Sequence, residues 1–172
     1  DELRELIEPA ALDEVEASLQ HLTENGRATD RDGLQQILRR LGDLTVIEAQ
    51  ARVAEGYSAE SMLEALVDDR RAALVRVNGE DRYIAAEDAG LFRDALGVVP
   101  PGGLPSTFLE EVDKPMEALV GRYARTHGPF PTAQLKARYG VDPTPALRLL
   151  ESEGAVVRGD FDALLALPLA ED

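Results

Sequence analysis

The chain holds no cysteine and no tryptophan, two methionines and two histidines in 172 residues, and aromatic residues make up only 5% of it. Without cysteine there is no disulfide, no thiolate nucleophile and no cysteine-ligated metal. His21 and His127, far apart in sequence, give a transition metal almost no ligands, so no metal site is assigned. A glycine-rich phosphate loop ending in Lys-Ser or Lys-Thr is missing, and the plentiful carboxylates fall on expected helix surfaces where solvation explains them. Catalytic residues are therefore assigned to no position. The longest apolar run, ALLALPLA at 163–170, is far short of a bilayer span, so no membrane partner is expected. The opening DELRELIE has neither an initiating Met nor the layout of a signal peptide, and we read a cytoplasmic fragment of something larger.

Positive charge is scarce as well. Eighteen Lys and Arg face 33 Asp and Glu, a net charge of −15, which on its face argues against nucleic acid. The distribution is uneven. Residues 116–159 carry six basic and four acidic residues, whereas the rest of the chain has 12 basic and 29 acidic. The C-terminal third is electrostatically a different object from the remainder.

Periodicity places the elements. Leu12, Val15, Leu19 and Leu22 predict a first helix, with Pro9 near its start and Asn25-Gly26 as its stop signal. Leu34, Ile37, Leu38 and Leu41 predict a second over 31–41, ended by Gly42. Thr45 and Glu48 have capping-box spacing and open a helix to about Val53, and Ser58 caps another through Met62, Leu63, Leu66 and Val67. The period then shortens in ALVRVNGEDRYIAA, a hairpin about Asn78-Gly79. A helix to Leu96 follows, and GVVPPGGLPST reads as a linker. Beyond it come helices at 116–126, 132–139 and from Thr144-Pro145, then a strand in AVVRGDF.

The stretch RYARTHGPFPTAQLKARYG repeats an earlier one. Arg39, Gly42, Leu44, Ala51 and Arg52 match Arg125, Gly128, Phe130, Ala137 and Arg138 at a constant offset of 86 positions. Each copy runs helix, tight turn, helix, turn, helix, strand, which is the order of a winged helix. The fold class expected is mainly α with short β hairpins (α+β), as tandem winged-helix domains. The expected division is an acidic helical segment 1–29, a first winged helix plus following helix 30–96, a Pro/Gly-rich linker 97–115, a second winged helix 116–161 and a tail 162–172.

Three blocks, EDAGLFRDALGVVPPGGLPSTFLEEV, LVGRYARTHGPFPTAQLKARYGV and LRLLESEGAVVRGDF, together resemble the C-terminal extension of the large helicase-related (Lhr) family. These are bacterial superfamily 2 ATP-dependent DNA helicases. The resemblance covers most of the chain, and RYARTHGPF is its specific part. It implies tandem winged helices beside a β-barrel akin to an alkylpurine glycosylase fold, with the motor N-terminal to this region. It implies a role in DNA repair, with DNA and the remainder of the parent helicase as partners, while ATP and Mg belong only to the parent motor and this fragment has no cofactor. The resemblance departs after Phe161: the family continues into a glycine-rich wing turn and an arginine-rich helix, and this chain reads DALLALPLAED. Either the second wing is truncated or residues are missing there, which bears on its contact with DNA.

The candidate DNA contacts are Arg122, Arg125, His127, Lys136, Arg138, Arg148 and Arg158. A winged helix lays its third helix in the major groove, with wing and helix ends on phosphate. In the first copy that helix carries Glu60, Glu64, Asp68 and Asp69, so this copy is expected to be structural or protein-binding; in the second, Arg148 is its one cation. The competing reading of each cation is pairing with a nearby acid, that of His127 is capping of helix carbonyls, and that of Tyr123, Phe130 and Tyr139 is core packing. The rival function is a protein-interaction or oligomerisation module, a homo-oligomer included, without nucleic-acid contact; the acidic first copy favours it. A free-standing transcription regulator ranks third. Placement separates the first two: cations on one exposed face support DNA, and cations buried in acid pairs support the rival.

Overall fold

The computed structural model describes residues 9–159 and 163–167. They form a mostly helical α+β structure with two small antiparallel sheets. Helix α1 (Pro9–Leu19) precedes α2 (Arg31–Leu41), α3 (Val46–Ala51) and α4 (Ala59–Asp68), and these lead into a hairpin of β1 (Ala72–Val77) and β2 (Glu80–Ala85). After α5 (Ala89–Leu96) come α6 (Pro115–Thr126), the short β3 (Phe130–Pro131), α7 (Thr132–Tyr139), α8 (Thr144–Ser152), β4 (Val156–Arg158) and β5 (Ala163–Ala166).

Local chemistry sets the boundaries. Asp30 caps α2 by accepting from the Gly33 amide, and the Gly42 amide closes it on the Leu38 carbonyl. Thr45 and Glu48 exchange both bonds of a capping box at the start of α3. Ser58 accepts from the Ser61 amide ahead of α4. Asn78 and Gly79 both have positive φ, as a two-residue hairpin of this kind requires.

In both halves the residue after the first turn pairs with the last strand. Leu44 exchanges backbone hydrogen bonds with Tyr83 in β2, and Phe130 in β3 pairs with Leu164 in β5. β5 is the middle strand of its sheet, with β3 and β4 on either side, and Leu164 is fully buried. The segment read from sequence as a tail from 162 thus supplies the central strand. Residues 160–162, and with them Phe161, lie outside the described residues.

Two hydrophobic clusters share the β1–β2 hairpin. Ala72 and Ala85 join Leu34, Leu38, Leu44, Leu63 and Leu66. Ala73, Val75, Val77 and Ile84, on the opposite face, join Phe92, Leu119, Tyr123, Phe130, Leu135 and Leu147. Period-two alternation lets one thin hairpin serve both cores. Its turn is also held, because Asn78 Nδ2 donates to the Ala137 carbonyl in α7 at 3.0 Å.

The stretch read as a linker is tied down. Val98 is buried and Leu104 packs on the second core. Arg93 donates to the carbonyl of Leu109, and Asp94 accepts from the Val112 amide. Gly90 lies so close to the carbonyls of Phe108 and Glu110 that a Cβ there would stand 3.0 and 2.8 Å from their oxygens.

Candidate nucleic-acid interface

The seven candidate contacts fall into separate environments. Arg138, in the last turn of α7, donates to both carboxylate oxygens of Glu48, at 2.8 and 3.1 Å, and to the Asp43 carbonyl. Asp43, whose side chain is 0% exposed, also accepts from Arg82 Nη1 at 2.9 Å and from the Tyr139 hydroxyl at 2.7 Å. Arg82 in turn donates to the Arg138 carbonyl. This buried network joins the α2–α3 turn, β2 and the end of α7. Burial works against the charge of Glu48, but the hydrogen bonds from Arg138 and the Thr45 amide outweigh it and hold the carboxyl at about 2. Burial likewise disfavours the Arg138 cation, and Glu48 and Asp43 more than restore it, raising its pKa. Burial beside Asp43 pushes the Tyr139 hydroxyl well above its ordinary value. Arg138 is a structural cation.

His127 ends α6 as a cap of helix carbonyls. Its Nδ1–H donates to the Tyr123 carbonyl at 2.7 Å, and its ring stacks on Tyr123 with centroids 3.7 Å apart. Burial lowers its pKa, leaving little positive charge at neutral pH for a phosphate. Tyr123, Phe130 and Tyr139 are buried together in edge contacts.

Three cations are exposed, and a fourth is paired at the surface. Lys136 on α7 and Arg148 on α8 both act on the carboxylate of Asp142, which Thr144 hydrogen bonds hold below its usual value. Both are exposed, on helices joined by the short 140–143 turn that carries Asp142. Arg158 is exposed and ion-paired with Glu151 at 3.3 Å. Arg125 is exposed on α6.

Arg125 belongs to a second grouping. A cleft of about 570 Å³ between α1, α2 and α6 is lined by Ser18, Leu19, Arg39, Arg40, Arg122, Arg125 and Thr126. Asp88 grips Arg122 with two hydrogen bonds, at 2.8 and 3.0 Å. Burial costs the Arg122 cation some stability, but Asp88 more than offsets it and raises its pKa. Arg39 reaches Glu87 at 3.6 Å, and Arg40 donates to His21 Nε2 at 3.1 Å. Burial, then the nearby Arg122, lowers the pKa of Arg125. Arg39 and Arg40 were not among the sequence candidates, since they sit in the acidic half. The signal that could have found them is the repeat itself, in which Arg39 corresponds to Arg125.

Comparison with known proteins decides the family. A model of the winged-helix domain of the large helicase-related protein matches residues 5–111, more than half of the chain. This chain belongs to that family. An Lhr helicase/probable uracil glycosylase of Mycolicibacterium smegmatis is 40% identical over 171 residues, covering 96% of this chain and 11% of that protein. An Lhr helicase/uracil glycosylase of Escherichia coli K12 is 35% identical over 138 residues, covering 80% of this chain and 9% of that protein. The chain thus spans about a tenth of the length of these Lhr relatives. No helix among the described residues is long and apolar enough to cross a membrane.

Proposed function

We propose that this chain is a non-catalytic tandem winged-helix segment of an Lhr-type ATP-dependent DNA helicase, which supports DNA engagement or assembly of the parent protein in DNA repair. ATP and Mg serve the parent's motor and not this segment. The two units are the α2–β2 and α6–β5 stretches, and the common pairing of Leu44 with Tyr83 and Phe130 with Leu164 supports reading them as copies. The observation that carries the DNA reading is the exposure of Lys136 and Arg148 around Asp142 on the second unit. Its third helix, α8, would approach the duplex with Arg148, and phosphate contacts would supply most of the affinity. The first wing is engaged inside the protein instead, since its hairpin is packed between the two cores and its turn is bonded to α7.

The rival is an assembly module, including a homo-oligomer, with no nucleic-acid contact. It is favoured by the withdrawal of Arg122 and Arg138 into acid pairs and by the net charge of −15. Fluorescent single- and double-stranded DNA titrated across a salt series separates the two. Binding that falls steeply with salt and weakens when Lys136 and Arg148 are changed to Glu supports DNA engagement. Absence of binding at low salt leaves the assembly module.

A further inference from the structure

Arg39 and Arg40 in the last turn of α2, Arg125 in the last turn of α6 and Arg122 one turn before it bring four guanidinium groups to one cleft, and none of the residues lining it is acidic. Two of the four come from positions that correspond in the repeat, Arg39 and Arg125, since α2 and α6 pack against each other. Arginine in a last helical turn interacts favourably with the helix dipole, which explains one cation at each helix end. The dipole does not explain why both ends open on a common cleft together with Arg40 and Arg122. The carboxylates behind it, Glu87 and Asp88, answer Arg39 loosely and Arg122 fully. Arg40 and Arg125 have no carboxylate partner among the described residues, so an uncompensated positive charge faces the opening.

We propose that this cleft is a phosphate-binding site for a nucleic-acid backbone, with Arg39, Arg40 and Arg125 as its donors. Arg122, neutralised by Asp88, is part of the cleft wall and is not one of the donors. Guanidinium groups suit the site because their planar donors match two phosphate oxygens at once. Ser18 adds a hydroxyl to the lining, and a volume of about 570 Å³ admits a nucleotide-sized group. The proposal rests on the DNA reading above and gives it a location distinct from the Lys136–Arg148 surface.

Two probes test it on the 172-residue chain. A short fluorescein-labelled thymidine oligonucleotide is titrated by anisotropy at several salt concentrations, and tripolyphosphate is titrated by thermal denaturation. The expected result is that Arg39→Glu with Arg125→Glu abolishes the tripolyphosphate-induced rise in Tm and weakens oligonucleotide binding. Two lost contacts should flatten the salt dependence by about 1.4, at about 0.7 per single-strand phosphate. Arg39→Lys with Arg125→Lys, which keeps the charge, should retain most of both effects and guards against a variant that merely misfolds. Unchanged oligonucleotide binding in the Glu pair, with loss in Lys136→Glu/Arg148→Glu, overturns the cleft while leaving DNA engagement intact. A Tm rise with tripolyphosphate and no oligonucleotide binding overturns the backbone assignment, while the duplex titration described above decides the DNA reading on its own. No response to either probe overturns the cleft as a phosphate site.

Discussion

Changing Asp43 to alanine is the most demanding test of how the two halves are joined. The substitution removes the acceptor of two donors, Arg82 Nη1 at 2.9 Å and Tyr139 Oη at 2.7 Å, and the ion-pair partner of Arg138 Nη2 at 3.0 Å. The Asp43 and Arg82 side chains are 0% and 3% exposed, so water cannot readily replace the lost partner. Removing one member of a buried ion pair costs about 3–5 kcal/mol, because the other charge stays behind without compensation. Here the loss falls toward the lower end, since Arg82 keeps Glu80 and the Arg138 carbonyl, and Arg138 keeps Glu48. The stranded Tyr139 hydroxyl adds to it, and about 3–4 kcal/mol is the expected total. Urea unfolding followed by circular dichroism measures it as a shift in midpoint at constant slope. A cycle with Tyr139→Phe should return a coupling of about 1 kcal/mol or more, as expected of groups in one network. A loss below about 1 kcal/mol would show that the network is dispensable and that the shared hairpin alone fastens the halves.

Gly140 and Gly97 both have φ of 70°, but a Cβ at Gly140 would overlap the Asn78 carboxamide while one at Gly97 meets nothing within 4 Å. Alanine at Gly97 should cost about 1 kcal/mol for the left-handed backbone, and alanine at Gly140 at least about 1 kcal/mol more, by thermal denaturation. Equal losses would mean that Asn78 steps aside and the hairpin turn is not pinned on α7. Glu48 gives a pH prediction. Its folded value of about 2 lies below the ordinary 4.5, so its contribution is present above 4.5 and is lost as pH falls toward 2. The full shift corresponds to about 3 kcal/mol, which screening of a side chain 31% exposed reduces to about 2 kcal/mol. Glu48→Gln should therefore lose about 2 kcal/mol at neutral pH and flatten the acid limb of the stability curve; an unchanged limb assigns acid sensitivity to other carboxylates.

What sequence reveals and what it hides divide along the range of the interactions. Gly42, the Thr45–Glu48 box, Ser58 and Asn78-Gly79 act on residues at most a few positions away, and each marks the boundary read from it. β5 escapes a reading by pattern because the four residues ALLA show no polar alternation, and its central place depends on Phe130 and Val156, which are distant in sequence or separated by a turn. The Pro/Gly-rich stretch after Leu96 reads as a linker because those residues report turns; its docking depends on Gly90, Arg93 and Asp94, which lie outside it. Charge is the least legible property. Counting cations by segment treats Arg122, Arg125 and Arg138 as one cluster, yet Arg122 pairs with Asp88, 34 positions away, and Arg138 with Glu48, 90 away. The same long-range packing sets Arg125 beside Arg39 and Arg40 from the acidic half. Helices α2 and α6 pack together, and Arg39 and Arg125, 86 positions apart, line one cleft between them. The electrostatic surface follows from that long-range packing, and a sum over either half misplaces it.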